Sequence, residues 1–212
     1  MVITHHGNQF FKLQFGDVII AINPISKDSK MKSSRFGADV CLVSVNHPDF
    51  NGAEALGFGE KQPFVVTGPG EYEIKGVFIK ALPSTSSYDG KTMINTIYTL
   101  NLDSINMCFL GALDAKDLSD DTKEAIDGVD ILFVPIGGSG VLDPHEAYKL
   151  AVQLEPKLIV PVGLDGVGAA KDALKVFCKE GGEEVPKPVD KLTIKKKDLE
   201  GKEGEIMVFS AV

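Results

Sequence analysis

The hydrophobic period changes part-way along this chain, and that change limits the fold more than any other feature. The first half carries short apolar runs at strand spacing. Phe10 to Phe15 alternates, Gly16-Asp17 gives a hairpin turn signal, and Val18 to Ile22 suits a strand covered on both faces. Ala38 to Val45 reads as a second buried strand, stopped at Pro48, which has no N–H to give a ladder. Gln62 to Thr67 and Glu71 to Leu82 are strand-like, with turns at Gly68-Pro69-Gly70 and Gly76, and Ile94 to Leu102 with Ile105 to Leu110 forms a hairpin. Asp28 to Arg35 and Pro83 to Lys91 read as polar loops.

From Asp117 onward, helices and strands alternate. A helix is predicted over Asp117 to Ile126, with Ser119 as an N-cap, then a buried strand over Asp130 to Pro135. Asp143-Pro144-His145-Glu146 opens the next helix, with Asp at the cap, Pro in the first position and Glu in the third. It runs to about Leu154 and stops before Pro156. Lys157 to Val162 is a strand, Ala169 to Cys178 a helix closed by Gly181-Gly182, and Lys191 to Ile194 and Glu205 to Phe209 the last strands. Hairpins followed by strand–helix alternation point to a layered α/β protein with mixed sheets. The 212 residues suffice for one sizeable core, and no repeat or linker divides them, so residues 1–212 are expected to form a single domain.

The formal net charge of −8 argues against nucleic acid, because an acidic surface repels phosphates. Lys195-Lys196-Lys197 is too short to reverse this and reads as a solvated turn. No apolar run reaches the roughly 18 residues of a membrane span, and Met1 to His6 has no secretory pattern. Cys41, Cys108 and Cys178 are odd in number and far apart, which fits reduced thiols in a cytoplasmic protein.

Asp130-Ile131-Leu132-Phe133-Val134-Pro135-Ile136-Gly137-Gly138, then Ala147, then Pro156-Lys157-Leu158-Ile159-Val160-Pro161-Val162 form an ordered series, with Asn95-Thr96-Ile97 and Leu110-Gly111 ahead of it. Each segment is short, but their order and spacing resemble the metallo-β-lactamase superfamily. More narrowly, they resemble its branch of small cytoplasmic hydrolases that includes ascorbate-phosphate lactonase. The resemblance spans nearly the whole chain and implies a four-layer αββα sandwich of two mixed sheets. It also implies a cleft where a His-x-His-x-Asp-His loop, a further His, a bridging Asp and a last His hold two metals and a hydroxide between them.

At those places this chain departs from the pattern. The first motif reads Val45-Asn46-His47-Pro48-Asp49-Phe50, so His47 and Asp49 remain as remnant metal-site positions while Val45 and Phe50 replace histidines. The third site falls in Pro83 to Asp89, which offers Ser84, Thr85, Ser86, Ser87 and Tyr88 but no His. Ala112 stands at the bridging carboxylate and Gly163 at the last His; Gly7-Asn8 replaces Gly-His and Asn23-Pro24 replaces Asp-Pro. Val, Phe, Ala and Gly cannot ligate, so no metal cofactor is expected. Val45 and Phe50 predict an apolar plug, with His47 and Asp49 hydrogen-bonded to each other. The cleft-lining candidates are Val45, Phe50, Ser86, Ala112, His145 and Gly163.

Other groups read more simply as structure. Asp114 and Asp117 are expected as acids favoured at a helix N-terminus, and His5 and His6, adjacent in sequence, point to opposite faces of a strand and cannot share a metal. No Gly-x-Ser-x-Gly surrounds Ser84, Ser86 or Ser87, and the Gly137 to Gly140 loop lacks the ending of a phosphate-binding loop. Three functional readings follow. The first is a pseudoenzyme: a non-catalytic binding or assembly protein whose partner is a small molecule or a protein. The second is a metal-dependent hydrolase of a phosphate ester, lactone or similar ester-like bond, with one weakly bound zinc or manganese at His47 and Asp49. The third is a self-assembling homo-oligomer.

Overall fold

The computed structural model describes residues 1–164 and 166–212. Its strands, in chain order, are β1 (Val2–His5), β2 (Phe11–Phe15), β3 (Val18–Ile22), β4 (Val40–Leu42), β5 (Phe64–Val66), β6 (Gly70–Ile74), β7 (Val77–Ser86), β8 (Met93–Leu102), β9 (Ile105–Phe109), β10 (Ile131–Pro135), β11 (Leu158–Val162), β12 (Lys191–Thr193) and β13 (Glu205–Ile206). The α-helices are α1 (Asp120–Ile126), α2 (Pro144–Gln153) and α3 (Ala173–Glu180). One sheet has the order β12-β1-β2-β3-β4-β5, the other β13-β11-β10-β9-β8-β7-β6. Both are mixed: β1, β2 and β3 pair antiparallel while β4 joins β3 in parallel, and β6 to β9 form antiparallel hairpins while β10 and β11 add in parallel.

The sheets pack face to face. Ile3, Phe11, Leu13, Ile20, Ile22 and Leu42 of the first sheet meet Tyr98, Leu100, Met107, Phe109, Phe133 and Val160 of the second. Phe11 meets Phe133 edge-on at 4.9 Å, and Phe133 stacks on Phe109 at 4.0 Å. These aromatic contacts add to a hydrophobic stabilisation that scales with buried apolar area. All three α-helices cover the outer face of the second sheet, laying Ile126, Ala147, Leu150, Ala151 and Phe177 on Cys108, Leu132, Val134 and Ile159. The outer face of the first sheet is covered differently. Ile25, Met31 and Phe36 from the chain between β3 and β4, and Ala53 and Leu56 of a short 3₁₀ turn, shield Phe10, Ala21, Cys41 and Val43.

The four expected layers are present, with differences at the ends of elements. β1 was not delimited in the sequence, although His5 and His6 were read as neighbours on a strand. It places His5 against Phe11 and His6 against Phe10 and Phe36, on opposite faces as adjacent strand residues must be. β7 continues through Pro83 to Ser86 where a loop was expected. Pro83 fits because β6 pairs β7 only as far as Ala81, so beyond it the far edge of β7 has no ladder for Pro83 to break. α1 starts at Asp120 with Ser119 accepting from the Thr122 N–H, and α3 starts four residues later than the apolar pattern suggested. Asp143 caps α2 through the His145 and Glu146 N–H groups, as predicted. Cys41, Cys108 and Cys178 are buried free thiols. Among the described residues, no helix is long and apolar enough to cross a membrane.

Candidate functional site

Loops from both sheets converge at one end of the sandwich. The segment after β4 is tied to β8 by the Thr96 N–H donating to the Ser44 carbonyl at 2.9 Å. The turn after β7 is tied to the loop after β10 by the Ser87 N–H on the Gly140 carbonyl at 3.1 Å. The Gly163 N–H donates to the Asn8 carbonyl at 3.2 Å, and Asn8 Nδ2 reaches the Asp49 carbonyl at 3.3 Å. Gly140 is required here: a Cβ at that position would lie 2.2 Å from the Ser87 carbonyl oxygen. The loops thus close on one another backbone to backbone.

Within this closure sits a small apolar cluster of Val45, Phe50, Tyr88 and Ala112, each at most 3% exposed, with Met93 and Val141 against it. Phe50 and Tyr88 meet edge-on at 4.9 Å, and His47 lies edge-on to Tyr88 at 5.1 Å. Asp49, only 4% exposed, has both carboxylate oxygens occupied. Ser29 donates to Oδ1 at 2.5 Å and Tyr88 to Oδ2 at 2.8 Å. The Tyr88 oxygen in turn accepts the Val167 N–H at 2.8 Å, which fixes the loop after β11 to the cluster. Burial raises the Tyr88 phenol well above its ordinary range, and its bond to Asp49 acts in the same direction, so it stays a donor.

His47 does not satisfy Asp49 as expected. Its Nδ1 accepts the Asp49 backbone N–H at 3.2 Å and stands 3.6 Å from Oδ2, beyond hydrogen-bond range. Its Nε2 faces Asp89 at 3.6 Å. Ser86 is fully buried, and its oxygen accepts the Tyr88 N–H at 3.1 Å, shaping the turn that delivers Tyr88. Ala112 donates its N–H to Asn95 Oδ1 at 2.9 Å. Gly163 has φ +77°, a left-handed conformation that disfavours other side chains. His145 is a correction: it is exposed on α2 and pairs with Glu180 of α3 at 2.7 Å, so it does not line the cleft. Asp114 and Asp117 are also corrected. Both precede α1; Asp114 accepts from Thr85 and Ser87, while Asp117 pairs with Lys123.

The donor set does not fit the two metals of the resembled family. Val45, Phe50, Ala112 and Gly163 offer no ligating atom, and the two oxygens of Asp49 are held by hydroxyls. Among the described residues, no three His, Cys, Asp or Glu side chains are grouped to hold an ion. Ser29 and Tyr88 were missed as partners of Asp49. Ser29 lies 20 residues away and Tyr88 39 residues away, and no local pattern links them.

Residues 2–163 match the family described as "Beta-lactamase superfamily domain". The chain belongs to that superfamily. A relative named "UPF0173 metal-dependent hydrolase", from Thermococcus onnurineus (strain NA1), is 31% identical over 96 residues. The match spans 44% of this chain and 43% of that relative, less than half of either. Over nearly its full length the chain resembles a solved structure from Thermotoga maritima described as a "putative zn-dependent hydrolase of the metallo-beta-lactamase superfamily". That likeness has 26% identity and a TM-score of 0.78, over 98% of this chain and 97% of the other. A metallo hydrolase from Ignicoccus hospitalis shares the fold at 18% identity and a TM-score of 0.63, over 92% of this chain and 99% of the other.

Proposed function

We propose that this superfamily member is a non-catalytic binding or assembly protein built on a hydrolase fold. One observation supports the reading: Phe50 and Tyr88 pack with Val45 and Ala112 where the family resemblance would put metal ligands, and the Tyr88 hydroxyl donates to the Asp49 carboxylate. A cleft closed by buried aromatic rings leaves neither a ligand set nor an open position for substrate, which catalytic metal sites require. The test is elemental analysis of untagged protein purified without added metal. The reading expects transition metal far below one equivalent, and a His47→Ala variant that still folds with its metal content unchanged.

The second reading is a metal-dependent hydrolase, favoured by the hydrolase names of the relatives and by His47 standing 3.6 Å from both Asp49 and Asp89. Near-stoichiometric zinc or manganese, lost on His47→Ala together with esterase or phosphatase activity, would put this reading first.

A further inference from the structure

Among the described residues, the two sheets end in β12 and β5 and in β13 and β6. An end strand offers unpaired N–H and C=O groups to any other strand, and proteins blunt such edges with charge. Three of these ends follow that rule. β6 carries exposed Glu71 and Glu73, β12 exposed Lys191 and β13 exposed Glu205. β5 does not. From Gln62 to Pro69 no residue is charged, and Phe64 and Val65 are 52% and 40% exposed. Phe58, 78% exposed, stands on the turn that leads into β5, where it bridges to Lys61.

The backbone decides what this edge can accept. The Phe64 N–H donates to the Asp39 carbonyl and the Val66 carbonyl accepts the Val43 N–H, so residues 64 and 66 direct their groups toward β4. Alternation along the strand turns the N–H and C=O of Val65 the other way, where β5 has no neighbouring strand. Phe64 shares its face with Val66, which belongs to the core between the sheets, and Val65 lies on the opposite face.

The strand is complementary to itself. Two copies of β5 aligned antiparallel about Val65 would exchange both outward bonds between the two Val65 residues and set Phe64 of each copy beside Val66 of the other. Pro63, which has no N–H to give, falls opposite Thr67, away from the centre. The nearest charges are Lys61 before the segment and Glu71 after it, and the antiparallel arrangement brings the Lys61 end of one copy toward the Glu71 end of the other. The same pairing of β6, centred on Tyr72, would set Glu71 opposite Glu73, like charge on like. We propose that β5 is the interface of a homodimer, in which a second copy of this chain pairs with it antiparallel about Val65 and joins the first sheets of both copies into one. Such a contact is isologous and closes on itself, so association stops at the dimer. Pairing through β5 holds whether or not the cleft takes a metal: metal content tests the cleft, association state tests the edge.

Sedimentation of the full chain over a rising concentration series is the test, with a reversible monomer–dimer equilibrium and no larger species expected. Val65→Lys and Val65→Glu should each be monomeric, because like charges then face each other across the two-fold axis, and an equimolar mixture of the two should regain a dimer. Loss of fold could not produce that rescue. Val65→Cys gives a second measurement. The paired Cα atoms would stand about 5.5 Å apart, within disulfide range, so mild oxidation should cross-link this variant and not Glu73→Cys on β6; the native cysteines are buried. A chain still monomeric at millimolar concentration, a dimer that survives in both charged variants, a mixture that stays monomeric, growth beyond the dimer, or cross-linking no better in Val65→Cys than in Glu73→Cys would each overturn the proposal.

Discussion

Asp130 and Asp49 are both carboxylates almost fully removed from water, and they are compensated in different ways. Asp130, 2% exposed, receives Lys157 at 2.9 Å, Lys196 at 2.6 Å and the Asn106 N–H at 2.8 Å. Asp39, just before β4 of the first sheet, repeats the arrangement with Lys61, Lys75 and the Ile19 N–H. In both cases burial alone would raise the carboxyl pKa, but the lysine and backbone hydrogen bonds outweigh it and hold the group below its usual range, Asp39 at about 2. Among the described residues Asp49 has no lysine or arginine partner, but two hydroxyls and a His47 ring at the limit of contact. The contrast separates a carboxylate balanced by lysines that staple elements together from one held by hydroxyls.

Mutation can break or sharpen that contrast. Asp130→Ala should have the largest effect, about 3 kcal/mol by urea unfolding, because it frees two lysines and a backbone N–H that join three segments. Tyr88→Phe should cost less, about 1–2 kcal/mol, by leaving one Asp49 oxygen without its donor. If Tyr88→Phe proved the costlier of the two, Asp49 would be a structural staple like Asp130 and the contrast would fail.

Acid titration gives the next effect in size. A carboxyl depressed in the folded state favours folding above its unfolded value, and that contribution is lost as pH falls from about 4 toward 2. Stability should therefore drop through this window, and Asp39→Asn should flatten the drop when midpoints are compared across pH. A separate effect, at higher pH, concerns His6, which burial first, and then Lys12 and His5, lower to about 4. The unfolded ring takes up a proton near pH 6.5 and the folded ring resists, so stability falls from pH 6.5 to about 4. His6→Phe, beside Phe10 and Phe36, should remove that slope.

Much of the fold was legible in the sequence because strand runs, the cap at Asp143 and the ordered segments around β10 and β11 are local signals. That Val45, Phe50 and Ala112 come together in one buried cluster was legible for the same reason, since all three stand in short motifs. The hydrogen-bond partners were not. Tyr88 reaches Asp49 only because β7 runs on through Pro83 and Ser86 turns the chain, and Ser29 reaches it from a segment whose polar composition resembles any surface loop. His145 misled because capping explains its neighbours but not its own direction, which Glu180 sets.

The first sheet's outer flank has one more consequence. The chain from Lys27 to Gly37 has neither ladder nor α-helical turns, and its amides lean on isolated contacts such as the Ser29 N–H on Ser26 and the Met31 N–H on the Ser29 hydroxyl. Segments of this kind open with little free energy, well before the strands beneath them. Because Ser29 is one of the two donors to Asp49, each such opening strips the carboxylate of half its support and leaves Tyr88 as the sole anchor. Proton exchange with solvent at the cleft would then follow the breathing of this flank rather than any motion of the aromatic plug.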